Sequence, residues 1–221
     1  MNFYMFGLQR SGTNFIYDTI HGNFENMLQL NIVDHNVSSP TWKHLIEPRN
    51  EWVPNVPVLF VYKNPYTWLE SVAYRNSMDF WESHGQEGRQ SPIVPYYVDT
   101  NRKVMVYSFE HAVRMWCHAI HSWAIDPPFP TFPIKYEDLL VEESRDKIFA
   151  ELKDKYNLTP TPNAGFVPAA GQVINSNSYT PSMGDYYKEG RPENLSKHFI
   201  EMVGELLDED ILNFTEYEKI G

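Results

Sequence analysis

A short loop near the amino terminus carries the first residues that could do chemistry. Positions 7–15 read GLQRSGTNF and lie between an apolar run and a periodic segment typical of a helix. The backbone amides of such a loop, together with the first amides of the following helix, can bind an anion. The sequence therefore predicts that a phosphate or sulfate group binds at this loop.

The loop has the spacing of a Walker A motif without its defining side chains. Gly7 and Gly12 are correctly spaced, but Thr13 occupies the lysine position and Asn14 occupies the Ser/Thr position that would bind magnesium. We therefore expect a poor ATPase loop. On this motif alone, an ordinary glycine turn before a helix remains an equal alternative.

Positions 10–15, RSGTNF, closely resemble the 5'-phosphosulfate loop of sulfotransferases, which follows a Lys/Arg-Ser-Gly-Thr-Thr-Trp pattern. That family transfers a sulfonyl group from 3'-phosphoadenosine 5'-phosphosulfate (PAPS) and releases adenosine 3',5'-bisphosphate (PAP). The resemblance implies that Phe15, at the family's Trp position, stacks on adenine; ordinary core packing is the alternative. It also implies that the loop residues contact the donor: Arg10, Ser11, Gly12, Thr13 and Asn14.

A second match lies at the next junction between a strand and a helix. The sulfotransferase family places a basic residue at the end of a strand and a serine eight positions later, and both hold the 3'-phosphate of the donor. Lys63 and Ser71 have this spacing here. The family's usual residue is Arg, so Lys63 is a departure that replaces a planar fork with a point charge. A solvated lysine and a helix-surface serine are the alternative interpretation.

Two further segments resemble parts of the same family. Positions 134–139, IKYEDL, are similar to its Tyr-Glu-Asp-Leu segment, which implies that Tyr136 lies near the nucleotide. Positions 187–191, YKEGR, are loosely similar to the basic loop that closes over the 3'-phosphate, although Glu189 interrupts the basic run. Lys188 and Arg191 are therefore candidate phosphate ligands, and solvated loop charges are an equal alternative.

The candidate base lies between the two phosphate motifs. Trp42-Lys43-His44-Leu45 is similar to the segment in which many cytosolic sulfotransferases carry a catalytic histidine. Imidazole can take a proton from an acceptor hydroxyl near neutral pH. We expect His44 to be the base and keep Glu47 in reserve, because other branches of the family use a glutamate. The loop amides and Arg10 would stabilise charge on the departing phosphate.

Metal and disulfide chemistry are poorly represented in the sequence. Cys117 is the single cysteine, so an intrachain disulfide and a cysteine-based zinc site are excluded. His118 and His121 lie on one helix and could both bind one metal ion, but the sequence offers no evident third ligand. We expect these histidines to pack against aromatic neighbours, and the family resemblance implies transfer without a metal.

The order of apolar runs and turn residues predicts one α/β domain over residues 1–221. The resemblance implies a P-loop NTPase-like three-layer fold of the sulfotransferase type with a central parallel sheet, and the strand-loop-helix order agrees with it. Irregular regions are expected at 82–103, interpreted as a surface loop or lid, and at 160–190. Strands are expected at 2–6, 27–33, 56–62 and 131–136. Helices are expected at 13–24, at 65–76 with Asn64 as the cap before Pro65, at 109–123 with Ser108 as the cap, at 142–156, and at 194–214 with a break near Asp208.

Charge limits the partners that we expect. The formal net charge is -11, and acidic residues are concentrated after Tyr136. Binding to nucleic acid or to an anionic membrane needs a basic face, so we expect neither. The sequence lacks an apolar run long enough to span a membrane, and we interpret the protein as cytoplasmic.

Together these features predict a PAPS-dependent sulfotransferase acting on a hydroxyl or amine of a small-molecule or carbohydrate acceptor. The alternatives are a P-loop nucleoside or small-molecule kinase and a degenerate P-loop domain that only binds a partner. A kinase would need a lysine after Gly12 and an acidic magnesium ligand at a strand end. Thr13 and Lys63 occupy those positions.

Overall fold

The computed structural model describes residues 1–8, 10–31, 43–48, 52–75, 94–97, 103–106, 109–162, 165, 167, 195 and 197–220, with backbone alone for 73–75, 94–97, 103–106 and 109. Four parallel strands form its central sheet: β1 (Asn2–Gly7), β2 (Leu28–Gln29), β3 (Val58–Tyr62) and β6 (Thr131–Lys135). Two more strands, β4 (Val94–Tyr97) and β5 (Lys103–Val106), pair with each other in antiparallel fashion.

The order in the central sheet is β2-β1-β3-β6. Gly7 pairs with Val61, and Val61 pairs with Ile134. The carboxyl ends of β1, β3 and β6 are therefore level with one another. Loops that leave these three strands meet at one edge of the sheet, where ligands of open α/β sheets bind.

Helices lie on both faces of the sheet. They are α1 (Thr13–Asn23), α2 (Pro65–Arg75), α3 (Phe109–Ile120), α4 (Glu142–Tyr156), α5 (Lys197–Leu206) and α6 (Glu209–Thr215). A π-helical segment, His121–Ile125, extends α3, and a 3-10 turn, Glu137–Leu140, precedes α4.

Alternate residues of each strand pack against different helices, as the pleat of a strand requires. Phe3 and Met5 point to a core that contains residues of α1 and α4, whereas Phe6 and Phe60 point to a core formed with α2, α3, α5 and α6. All five residues of β3 are buried because both faces of this central strand are covered. The arrangement is compatible with a three-layer α/β fold.

Two sequence-based expectations about strands were wrong. The strand expected at 27–33 is only two residues long, because the Asn31 side chain replaces a strand partner for Met5: its Oδ1 accepts Met5 N–H at 3.1 Å and its Nδ2 donates to Met5 C=O at 2.9 Å. The region 82–103 is not a continuous loop, since β4 lies within it and β5 begins at Lys103. Position 108, expected to cap the next helix, lies outside the described residues.

The helix boundaries follow local signals well. Asn64 caps α2, because its Oδ1 accepts the N–H groups of Tyr66 and Thr67 at 3.0 and 3.3 Å. The expected break of the last helix at Asp208 is confirmed, and this residue caps α6 by accepting Ile211 N–H at 2.8 Å. Helix α4 has the predicted bounds. Within the described part of the chain, every helix is too short or too polar to cross a membrane.

Candidate functional site

Left-handed backbone shapes the loop between β1 and α1. Arg10 and Gly12 adopt the left-handed conformation, with φ values of 71° and 89°. Ser11 folds back and donates both its N–H and its Oγ–H to Leu8 C=O. Since the first amides of a helix have no partner within it, this turn presents the amino end of α1 to a ligand.

Two glycines make the close packing of this loop possible. A Cβ atom on Gly7 would lie 2.7 Å from Val61 O and 2.8 Å from Ser11 Oγ. A Cβ atom on Gly12 would overlap Cδ2 of Tyr136, so the tyrosine ring rests directly on the glycine backbone. The loop is thus packed between the ends of β3 and β6.

The second predicted pair meets as its spacing indicated. Lys63 follows β3, and its Nζ donates to Ser71 Oγ in α2 at 2.8 Å. The serine hydroxyl in turn donates to Thr67 C=O at 2.7 Å, which holds it toward the lysine. Lys63 is 3% exposed, so the alternative interpretation, a solvated lysine, is wrong.

Burial dominates the electrostatics of Lys63. Loss of solvation lowers its pKa to about 7, and the nearby charge of Arg10 also lowers the pKa, whereas Glu137 and Glu70 raise it. The ammonium lies 5.5 Å from the centroid of the Tyr136 ring. A bound dianion would favour the charged lysine and offset this cost of burial.

Phe15 and Tyr136 lie next to each other beside the loop. Their ring centroids are 5.5 Å apart in an edge-to-face arrangement. Phe15 is only 4% exposed and belongs to the core under α1. This burial favours the packing role of Phe15 over the expected role of stacking on adenine, which stays a prediction.

The segment that carries the candidate base is attached to the same loop. Gly7 donates its N–H to Lys43 C=O at 2.9 Å, and His44 Nδ1 lies 2.7 Å from Gly7 O. A carbonyl oxygen can only accept, so Nδ1 carries the proton. In the neutral ring the lone pair is then on Nε2, the atom that could accept a proton from a substrate.

Lys43 is a candidate ligand that the sequence reasoning missed. Its Nζ donates to Asn14 Oδ1 at 2.9 Å, and burial lowers the pKa of its ammonium. Walker A loops carry a lysine at the position of Thr13. Here Lys43, from another segment, reaches Asn14 next to that position. The only sequence signal that could have prompted a search for such a lysine was its absence from the loop.

The reserve candidate Glu47 binds a histidine of α3. Its Oε2 accepts a hydrogen bond from His118 Nε2 at 2.7 Å, and His121 pairs with Asp208 at 3.0 Å. Both histidines are partly or largely exposed and bound to carboxylates, so their expected packing against aromatic rings was wrong. Among the described residues, no three His, Cys, Asp or Glu side chains are grouped as a metal ion would require.

A cavity of about 420 Å³ lies away from these residues, at the other end of α1. Its walls include Phe24, Arg145 and Lys153, together with acidic side chains of α4. Arg145 donates to Leu139 C=O at 3.3 Å. We assign the candidate site to the loop because the phosphate motifs meet there, whereas the cavity joins charges of both signs without such a motif.

Some predicted positions lie outside the described residues, namely Lys188, Arg191, Gln9 and Trp42. The rest of the predicted phosphate site is assembled at the carboxyl edge of the sheet. Compared with family models, with curated proteins and with solved structures, the chain matched none of them.

Gly12 provides a direct test of this loop. We expect Gly12→Ala to lower the free energy of unfolding by about 2–4 kcal/mol, because left-handed backbone costs about 1–2 kcal/mol for alanine and the new methyl group overlaps the Tyr136 ring. Urea denaturation measures the change.

Gly165→Ala is the matched control, since Gly165 also has a positive φ (102°) but has nothing within 4 Å of the added Cβ. It should cost only the backbone component, about 1–2 kcal/mol. Adding Tyr136→Ala should relieve part of the Gly12→Ala cost in a double-mutant cycle. Equal costs for the two glycine variants would contradict the described packing of Tyr136 on Gly12.

Proposed function

We propose that this chain is a PAPS-dependent sulfotransferase with a P-loop type of α/β fold, which transfers a sulfonyl group to a hydroxyl or amine of a small-molecule or carbohydrate acceptor. The observation that carries the proposal is that two arrangements with a cation, both suited to a phosphate, lie at one edge of the sheet. The Gly7–Gly12 loop is one, and the buried Lys63–Ser71 pair is the other.

The two arrangements suit the two phosphate positions of the donor. The loop offers backbone amides and the Arg10 side chain to a 5'-phosphosulfate. The ammonium of Lys63 and the hydroxyl of Ser71 offer charge-assisted hydrogen bonds to a 3'-phosphate. Burial gives the Lys63 ammonium a solvation cost that the nearby Glu137 and Glu70 offset only in part, and a 3'-phosphate would reduce that cost further.

The chain's own side chains also suit the transfer. PAPS supplies the sulfonyl group: the acceptor oxygen or nitrogen forms a bond to sulfur as the bond from sulfur to the 5'-phosphate oxygen breaks. His44 Nε2 takes the acceptor's proton, with Nδ1 held by Gly7 C=O. Arg10, the loop amides and Lys43 stabilise the negative charge that develops on the departing phosphate.

Two features favour this chemistry over phosphoryl transfer by a kinase. Asn14, which stands where a kinase loop has a magnesium-binding hydroxyl, accepts a hydrogen bond from Lys43. At the end of β3, where a kinase would have an acidic ligand for magnesium, the chain has the cation Lys63. The residue that follows β3 is thus a cation and not a carboxylate.

Nucleotide binding tests the proposal directly. Adenosine 3',5'-bisphosphate should bind with or without magnesium, and at a hundred times its Kd it should stabilise the protein by about 2.7 kcal/mol. Isothermal titration and thermal unfolding measure these effects, with ATP plus magnesium as the comparison. A magnesium-dependent response to ATP, without a response to the bisphosphate, would instead identify a kinase-like site.

The pKa of Lys63 predicts a pH dependence. Above pH 7 the free lysine is increasingly neutral, so binding of a 3'-phosphate must take up a proton, and the affinity for the bisphosphate should fall by up to about tenfold per pH unit. In Lys63→Arg the guanidinium stays protonated, and the affinity should be nearly constant from pH 7 to 9. Titrations in this range measure both slopes.

Adenosine 5'-phosphate is the control ligand for these titrations, because it lacks the 3'-phosphate that Lys63 is proposed to bind. Its affinity should depend little on pH in either protein. Binding of this nucleotide by Lys63→Arg would show that the variant still folds around the loop. A steep slope for both nucleotides in the arginine variant would exclude Lys63 as the group responsible.

His44→Ala should separate chemistry from binding. We expect the bisphosphate Kd to change less than threefold, whereas turnover falls by about a hundredfold to ten-thousandfold because the proton acceptor is missing. Turnover is measured as transfer of sulfur label from PAPS to a panel of phenols, sugars and amines. His21→Ala, at the distant end of α1, is the control. Near-normal turnover in His44→Ala would direct attention to Glu47.

A further inference from the structure

The peptide unit that joins Lys63 to Asn64 is held from two sides. Trp116 in α3 donates its indole N–H to Lys63 C=O at 3.1 Å, and Glu137 Oε1 accepts the N–H of Asn64 at 2.9 Å. These partners come from different elements and bind opposite edges of one peptide plane. The orientation of that plane determines both where the Lys63 side chain begins and where α2 starts.

Glu137 is itself held by the carboxyl-terminal segment. Its side chain is buried, and its second oxygen, Oε2, accepts the hydroxyl proton of Tyr217 at 2.8 Å. Burial raises the pKa of Glu137, while the hydrogen bonds from Asn64 and Tyr217 and the charge of Lys63 lower it. Each carboxylate oxygen therefore has a donor, as a buried carboxylate requires.

Tyr217 is fixed in turn by Lys135, the last residue of β6. The Lys135 ammonium lies 4.3 Å from the centroid of the Tyr217 ring and donates to Thr215 C=O at 3.0 Å. The Tyr217 ring also lies near Trp116, with centroids 6.3 Å apart. Trp116, which binds the Lys63–Asn64 peptide directly, and Tyr217, which reaches it through Glu137, are thus packed together.

We infer that Glu137 and Tyr217 are positioning residues that fix the Lys63–Asn64 peptide and thereby align Lys63 and Ser71 for the 3'-phosphate of the nucleotide. The phosphate part of this inference rests on the proposed function. Lys63 and Ser71 are on opposite sides of that peptide along the chain, so rotation of its plane moves one group relative to the other. A displacement of about 1 Å is enough to weaken such paired contacts strongly.

Removing the hydroxyl of Tyr217 tests this chain of contacts while keeping its ring. We expect Tyr217→Phe to raise the Kd of adenosine 3',5'-bisphosphate by about five- to thirtyfold, and that of adenosine 5'-phosphate by less than twofold. The Asn64 amide should exchange its hydrogen at least about threefold faster in the unliganded variant, as measured by NMR, because Glu137 has lost its second anchor.

Tyr66→Phe is the matched control. Tyr66 is also buried, and its hydroxyl also binds the carboxyl-terminal segment, by accepting Ile220 N–H at 3.1 Å. This hydroxyl makes no described hydrogen bond to Glu137 or to the Lys63–Asn64 peptide. Its loss should leave the ratio of the two nucleotide Kd values and the exchange of Asn64 unchanged.

The outcomes separate the inference from the proposed function. Equal weakening of both nucleotides in Tyr217→Phe, or the same change of ratio in Tyr66→Phe, would overturn the positioning role. If the unaltered protein does not bind the bisphosphate, the proposed function and the phosphate part of the inference fail. Exchange at Asn64 then still decides whether Tyr217 and Glu137 fix the peptide, and an unchanged rate in Tyr217→Phe would exclude it.

Discussion

The ammonium of Lys63 is buried at the carboxyl end of the middle strand, and the neighbouring elements are arranged around it. A buried cation is costly unless it is hydrogen-bonded and near opposite charge. Ser71 supplies the hydrogen bond, while Glu137 and Glu70 supply negative charge. Arg10 adds a repulsive contribution. Despite these contacts, burial leaves the Lys63 ammonium poorly solvated. An anionic ligand would improve the surroundings of such a cation most.

The parallel register of the sheet explains why these groups meet. Because Gly7, Val61 and Ile134 are aligned across β1, β3 and β6, the next residues of the three strands leave the sheet side by side. Lys63, which follows β3, then lies between the ends of β1 and β6. The glycines are needed for the same reason, since Tyr136 and Val61 approach the loop backbone too closely for a larger residue.

Sequence reasoning succeeded where the signal is local. Asn64 caps α2 and Asp208 caps α6 through contacts within a few residues, and the helix start at Asn64-Pro65 and the break near Asp208 were both predicted. It failed where a distant side chain decides the structure: Asn31 replaces strand pairing beside Met5, and His118 binds Glu47 across 71 positions. The bond between Glu137 and Tyr217 spans 80 positions and leaves no local pattern. Lys43 was overlooked because its partner, Asn14, is 29 positions away.

The distribution of cations at the site differs from that of a Walker A loop in a way that has a structural consequence. A Walker A loop contains its own lysine, so its positive charge does not depend on the position of another segment. In this chain the corresponding positive charge comes from Lys43, and the segment around it is attached through the backbone bond from Gly7 and the His44 ring. Detachment of residues 43–48 would therefore remove a cation and the candidate base together. The proposed anion binding and the proposed proton transfer would then both depend on how this segment is held, through the backbone bond from Gly7, the His44 ring and the hydrogen bond from Trp123 Nε1 to Leu45 C=O.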